Sequence, residues 1–341
     1  MKKGFTLVEI LAVIIVLGIV SLIAVPRVLN IIEESRTDKL YAQKLIAKRA
    51  AKEYVLTLPG LTGDVGNTVF ISVDELIENN RITETLDVDG YFAFTKVDEG
   101  SYDVFSHISI DGISPEDNRL LGHYPLIGNA VDYSGRANNG EVMGNPEIIE
   151  GILGEGYRFQ TNSHFVRIPH EDYVSERVFG VSANHSLMAF VYVENYENWA
   201  TVINKATGGS WSNTTSGIWV SDQGGITFSL ASNEGGNPSG SNSQLHYTNV
   251  ETDKWYHVVG VADGSRQYLY LNGELVADRS ISISRTRSEN TQPITLGRRS
   301  VGSNPSLRGM IQDVRIYDRV LSSDEIKFIY DMAIRSIESN D

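Results

Sequence analysis

The chain contains no cysteine, so it can form neither a disulfide nor a thiolate metal site, and its folded parts must rely on their cores. Basic side chains are also scarce: 29 Lys and Arg against 43 Asp and Glu leave a formal charge of −14. The deficit is uneven. Residues 27–58 carry seven basic and four acidic side chains, whereas residues 59–341 carry 20 and 38. Nucleic-acid binding needs a basic surface, so this balance argues against such a partner. No His-x-His, His-Glu-x-x-His, Gly-x-Ser-x-Gly or phosphate-loop pattern occurs, which removes the commonest zinc, hydrolase and nucleotide signatures. Proline is sparse at 9 while glycine reaches 31, a balance that leans toward turn-rich β structure. Long apolar runs are missing too, with one exception.

That exception is the N-terminus, MKKGFTLVEILAVIIVLGIVSLIAVP. From Phe5 to Val25 there are 21 residues, among which Glu9 is the only charged one. As a helix this run is about 31 Å long and can span a bilayer. A carboxylate inside it costs about 2.5–3.5 kcal/mol on insertion scales and so needs a partner. An ordinary secretory signal fits less well, because its apolar region is ~7–15 residues and ends at a small-residue cleavage site. Lys2-Lys3-Gly4-Phe5-Thr6-Leu7-Val8-Glu9 resembles the processing signal of type IV pilins and of type II secretion pseudopilins. The resemblance implies that a prepilin peptidase cuts after Gly4, leaving residues 1–4 as a leader, and that Phe5 becomes the methylated first residue. It also implies that Glu9 neutralises a neighbouring subunit's terminal amine, an ion pair that makes a buried charge tolerable. Gly18 and Pro26 fall where pilin helices commonly loosen or kink, and proline removes a helical hydrogen bond.

Beyond Pro26, apolar residues recur at three- and four-residue steps between charged ones, with no glycine or proline before Pro59-Gly60. The pattern predicts a transmembrane and amphipathic helix over 5–58, about 80 Å long. Residues 59–113 read as a small α+β head. Residues 68–71 suit a strand, Ser72 and Glu75 form a capping box for a short helix, and 91–95 and 102–110 alternate as strands. Ser114-Pro115-Glu116-Asp117-Asn118 reads as a linker.

From 119 to 333 many short β-branched and aromatic runs are separated by Gly, Asn and Ser, which predicts a two-sheet β sandwich. Asn272-Gly273, between alternating runs, is a strong hairpin signal because both turn residues take positive φ. Ser322 and Glu325 form a capping box before a last helix, and 334–341 is a tail. The blocks His123-Tyr124-Pro125-Leu126, Asp132-Tyr133-Ser134-Gly135, Lys254-Trp255-Tyr256-His257 and 307–321 resemble the laminin-G-like, concanavalin A-like jelly roll. The expected fold is thus α+β and multidomain: a long N-terminal helix with a small antiparallel pilin sheet, then an all-β jelly roll.

Enzymes of that sandwich place two or three carboxylates in an acid-x-acid pattern on one strand; no such triplet stands here, and Glu251-Thr252-Asp253 is an isolated pair in the turn ahead of the Trp255 strand. Glu147–Glu150 and Glu194–Glu197 are spaced as loops or helix faces, so the domain reads as non-enzymatic. Of the four tryptophans, Trp255 is expected in the core, and Trp199 and Trp219 as packing. Trp211, in the polar stretch Gly208-Gly209-Ser210-Trp211-Ser212-Asn213, is the candidate for stacking on a sugar, with the loop 232–243 beside it. His257 is expected to pack beside Trp255. Asp132 with Asn138 and Asp313 are candidate oxygen ligands of a structural calcium, while turn capping explains Asp132 as well.

Together these readings describe a type IV pilin-like filament subunit displaying a lectin-like domain for adhesion to a glycan or surface protein. Its partners would be the prepilin peptidase, other pilin subunits and, before assembly, the membrane. It would pass from the cytoplasmic membrane as precursor to an extracellular filament. The alternatives are a minor pseudopilin of a secretion system and a membrane-tethered binding module that does not polymerise.

Overall fold

The computed structural model describes residues 39, 42–43, 46–58, 68–83, 91–98, 101–107, 119–134, 136–171, 174, 178–179, 184–197, 199–206, 214–221, 224–230, 244–280, 291–299 and 306–338. The apolar run at 5–25 lies outside them, and with it Gly4, Phe5 and Glu9. Among the described residues no helix is long and apolar enough to cross a membrane. The chain divides into two compact units, one of residues 1–54 and 73–88 and one of residues 55–72 and 89–341.

In the first unit, helical residues 46–54 bury Ala47, Ala51 and Tyr54, one stripe at helical spacing, while Ile46 points outward at 55 % exposure. Helix α1 (Val73–Glu78) begins directly after Ser72, with Asp74 and Glu75 in its first turn, where carboxylates suit the positive helix end. It buries Val73 and Leu76. The Arg81 guanidinium lies 5.2 Å from the centre of the Tyr54 ring.

The second unit holds three sheets among the described residues. The smallest is antiparallel: β1 (Thr68–Ser72), β2 (Tyr91–Asp98) and β3 (Ser101–His107), with Ile71 opposite Phe92, both buried. The other two face each other as a sandwich. One runs β13-β12-β11-β10-β17-β8-β5, built from β5 (Glu141–Met143), β8 (Phe165–Ile168), β10 (Ala200–Ala206), β11 (Thr214–Ser221), β12 (Gly225–Ser229), β13 (Gln244–Tyr247) and β17 (Ile294–Leu296). The other runs β16-β15-β14-β9-β18-β7-β6, with β4 also on β18. Its strands are β4 (Leu120–Tyr124), β6 (Glu147–Glu150), β7 (Glu155–Phe159), β9 (Asn184–Asn195), β14 (Trp255–Asp263), β15 (Arg266–Leu271), β16 (Glu274–Ser280) and β18 (Arg308–Tyr317).

Between the sheets, strand alternation lays down one core that includes Leu187, Ala189 and Val191 of β9, Ile311, Val314 and Ile316 of β18, and Ile218, Val220 and Phe228 opposite. Gly260 sits on β14 because a side chain there would drive into the Phe228 ring. The other face of the eight-stranded sheet buries a second cluster, including Met188, Val259, Val261 and Tyr317, beneath Ile326 and Ile329 of helix α2 (Ser323–Glu338). The capping box of α2 forms as read from sequence: Ser322 N donates to Glu325 Oε2 at 2.8 Å, and Glu325 N donates to Ser322 Oγ at 3.2 Å. Asn272 and Gly273 adopt φ of 51° and 81°, and the glycine packs under Tyr330 of α2. Two expectations need correction. Glu147–Glu150 is neither loop nor helix but the strand β6, fixed by pairing with β7. Trp255 is half-buried on the outer face of β14 rather than between the sheets, 5.5 Å from the Tyr192 ring.

Candidate functional site

The seven-stranded sheet turns one face to the core, through Ile203, Ile218, Ile226, Leu245 and Leu296. Its other face is read from the register. One row crosses all seven strands: Gln244, Ser229, Gly217, Asn204, Thr295, Arg167 and Glu141. A second, parallel row holds His246, Thr227, Trp219, Thr201 and Ser306. Ser221, paired with Gly225, extends the same face two residues beyond Trp219. Gly217 is required, because a Cβ at that position would stand 2.6 Å from the Trp219 indole. Gly225 does the same for His246, whose ring lies 2.4 Å from where its Cβ would be. His246 Nδ1 is 2.7 Å from Thr227 Oγ1, and Thr295 Oγ1 donates to the Asn204 carbonyl at 3.4 Å.

A polar outer face of an antiparallel sheet is ordinarily wet. This one is dry in its middle: Thr201, Asn204, Trp219, Thr227, Ser229, Thr295 and Ser306 are each at most 1 % exposed. Toward the edges burial relaxes, with Gln244 half-buried and His246, Arg167 and Glu141 exposed. Arg167 and Glu141 pair with each other there.

Among the described residues, seven buried side-chain atoms on this face have no hydrogen-bond partner: Thr201 Oγ1, Asn204 Oδ1 and Nδ2, Trp219 Nε1, Ser221 Oγ, Ser229 Oγ and Ser306 Oγ. An unsatisfied buried group costs about 1–3 kcal/mol, so this set approaches the whole stability of a domain, about 5–15 kcal/mol. The chain itself covers these groups, so the middle of this face is an inner polar layer rather than an open surface.

The proposed calcium residues sit elsewhere and are already engaged. Asp132 is buried in a turn, where Oδ1 accepts from His123 N at 3.0 Å and Ser134 N at 2.9 Å. Its Oδ2 accepts from Ser134 Oγ at 2.9 Å and from Asn138 N at 3.2 Å. Burial pushes its carboxyl up, and these donors pull the other way. Asn138 turns its amide toward the Pro169 carbonyl at 3.4 Å. Asp313 occupies a bulge of β18 at φ 49°. Its carboxylate takes a two-pronged contact from Arg315, both at 2.9 Å, and accepts from His123 Nε2 at 2.7 Å. Burial opposes that charge, but Arg315 and His123 hold the carboxyl well below its usual range. The three residues do not fit a calcium site: a guanidinium already serves as the cation on Asp313, and N–H and O–H donors fill Asp132. Among the described residues no cluster of three or more His, Asp or Glu side chains is placed to bind a metal.

Two buried histidines belong to the same side of the eight-stranded sheet. Burial, aided by the Arg315 charge, lowers the pKa of His123 to about 4. His257 is wedged between Phe190, at 4.9 Å, and Tyr330 of α2, at 5.7 Å, as an aromatic spacer. Both its ring nitrogens lack hydrogen-bond partners, and burial lowers its pKa to about 3. Trp211 and the loop 232–243 lie outside the described residues. Trp199 is half-buried in a turn at φ 60°. Trp219, read as packing, is buried but stands on the polar face. Its Gly-Ile-Trp-Val-Ser alternation marks that face, while only the register brings Asn204 and Thr201 alongside it.

Residues 161–327 match the concanavalin A-like lectin/glucanases superfamily, and residues 1–25 match the prokaryotic N-terminal methylation motif. No curated protein matches the chain. Among solved structures, the chain is similar to domain 4 of AbnA, a GH43 extracellular arabinanase from Geobacillus stearothermophilus, solved with arabinotriose. That match has 17 % identity and a TM-score of 0.48, over 63 % of this chain and 98 % of that one. It is also similar to the ligand binding domain of botulinum neurotoxin serotype D, solved with N-acetylneuraminic acid, at 18 % identity and a TM-score of 0.49, over 63 % of this chain. The binding domain of Paraclostridial Mosquitocidal Protein 1 gives 17 % identity and 0.49, again over 63 % of this chain. The chain spans 51 % and 52 % of those last two structures.

Proposed function

We propose that this chain is a type IV pilin-like filament subunit that carries a non-catalytic, lectin-like jelly roll outward for adhesion to a glycan or surface partner. The observation that supports it most directly is the pairing, in one chain, of the methylation motif at 1–25 with the concanavalin A-like domain at 161–327. The motif coincides with the run able to span a bilayer, and Gly4, Phe5 and Glu9 stand where that family is cut, methylated and paired. Gly4 would enter the prepilin peptidase, Phe5 would become the methylated terminus, and Glu9 would meet a neighbouring subunit's amine.

Binding rather than cleavage suits the placement of carboxylates on the seven-stranded sheet. Glycoside hydrolysis needs two carboxyl groups about 5–9.5 Å apart. Across the register row of the seven-stranded sheet the described residues place one carboxylate, Glu141, and Arg167 neutralises it at the edge.

Mass spectrometry of material sheared from the cell surface tests the reading. The expected N-terminus is Phe5 carrying one methyl group, and Gly4→Arg leaves the precursor uncut in the membrane. Surface filaments that retain Met1 would overturn the assignment. A correctly cut subunit that never leaves the membrane would instead mark a tethered module.

A further inference from the structure

Helix α2 covers only part of the outer face of the eight-stranded sheet. Ile326 and Ile329 pack with Met188, Val259 and Val261, and Tyr330 lies over His257. The next row reads Trp255, Tyr192, Met310, Arg158 and Glu147 across five strands, about 19 Å at the usual spacing. It remains partly open: Trp255 and Tyr192 are half-buried, and Glu147 at its far end is 55 % exposed. We propose that this row receives residues 46–56 of a second copy of the chain. The inference names a contact within the filament reading and rests on it.

Three observations carry it. The first is α2 itself, which shows that this sheet face takes an amphipathic helix through apolar and aromatic side chains. The second is a matching stripe elsewhere in the chain. Ile46, Arg49, Glu53 and Leu56 recur at three- and four-residue steps, which puts them on one side of a helix about 15 Å long. Ile46 is 55 % and Leu56 71 % exposed, two of the five large apolar side chains that the described residues leave in water. The third is charge. Around the row, Arg158 is answered by Glu194 and Glu147, Lys254 by Glu251, and Arg308 by Glu197. Asp253 adds a carboxylate, so five acids stand against three bases. The stripe is flanked by the exposed Arg49 and Lys52, in a segment, 27–58, with seven bases against four acids. Two such acidic rows would repel one another, whereas the row and the stripe attract. Because the two surfaces differ, the contact is head-to-tail and repeats from copy to copy, as an open filament requires.

Isotope mixing tests the proposal. Equal parts of full-length protein at natural abundance and labelled with nitrogen-15 are combined in detergent micelles and treated with a carbodiimide, which joins touching amines and carboxylates. The expected product joins a peptide carrying Lys52 to one carrying Glu147, Glu251 or Asp253, one light and the other heavy. Ile46→Glu and Glu147→Lys, both at exposed positions, should each cut that product by about tenfold. Ionic strength of about 1 M, which screens charges beyond about 3 Å, should weaken it as well. Joined peptides of a single isotope would exclude a second copy as the occupant. Mixed product that survives both substitutions would overturn the contact, and mixed product joining Lys254 to Glu147 would mean that two rows meet face to face. Electron microscopy of the same strains keeps the two readings apart. Mixed product without filaments, from a wild type cut to Phe5, would uphold the contact and remove the filament; filaments without mixed product would do the reverse.

Discussion

Acidification should destabilise the jelly roll through two of its buried histidines, His123 and His257, and His257→Phe should remove about half of their effect. The unfolded chain protonates a histidine near pH 6.5. In the folded domain burial holds His123 at about 4 and His257 at about 3. Both folded values lie below the unfolded one, so between these limits the unfolded state binds more protons and stability falls with falling pH. The loss begins near pH 6.5 and saturates below about 3–4. At pH 5 each histidine costs about 2 kcal/mol relative to pH 7.5, so the pair costs about 4 kcal/mol. For a domain of this size that lowers the thermal midpoint by about 8–16 °C. Asp313 stays ionised through this window, because Arg315 and His123 hold its carboxyl low. Asp132, pushed upward by burial, acts in the opposite sense, so the discriminating quantity is the wild type minus the variant. Phenylalanine at 257 keeps the contacts with Phe190 and Tyr330 and strands no ring nitrogen. All four tryptophans lie between 199 and 255, so their fluorescence reports this domain alone in the full-length chain. Equal midpoint shifts from pH 7.5 to 5 in wild type and His257→Phe would refute the reasoning.

Asp132→Ala should cost about 3–5 kcal/mol, since four donors lose a buried acceptor at once; a lower urea midpoint with an unchanged slope is the check, and a loss under 1 kcal/mol would show that the turn does not depend on this carboxylate. Glu9→Val should ease membrane insertion but leave a neighbour's amine unpaired, so the subunit accumulates in the membrane; normal filament counts by electron microscopy would remove Glu9 from the pairing role.

Elements governed by neighbours in sequence were legible. The Asn272-Gly273 turn, the Ser322–Glu325 box and the alternation of β14 and β15 each depend on a few adjacent residues, and each forms as read. Where partners are distant, local patterns mislead. Glu147-Ile148-Ile149-Glu150 does not alternate, yet pairing with β7 makes it a strand. Trp255 shares the strand parity of His257 and Val259, so it faces outward, and α2 reaches only as far as His257 through Tyr330. Asp313 looked like a free oxygen ligand because nothing in Asp-Val-Arg reveals that a bulge lets both charges meet.

The polar seam was the least legible part, for a reason built into strand chemistry. Gly217-Ile218-Trp219-Val220-Ser221 alternates as any half-buried strand does, and its polar positions read as a solvent face. Nothing local distinguishes a serine facing water from one facing a dry seam. The distinction appears only when five separate segments, carrying Thr201 and Asn204, Trp219, Ser229, Thr295 and Ser306, align in two rows and lose their water together. Apolar residues would make the same face more stable, because burying them incurs no unpaired group. Thr201→Val and Asn204→Leu should therefore leave the thermal midpoint unchanged or raised, and a midpoint lowered in both would show that these groups are hydrogen-bonded inside the folded domain.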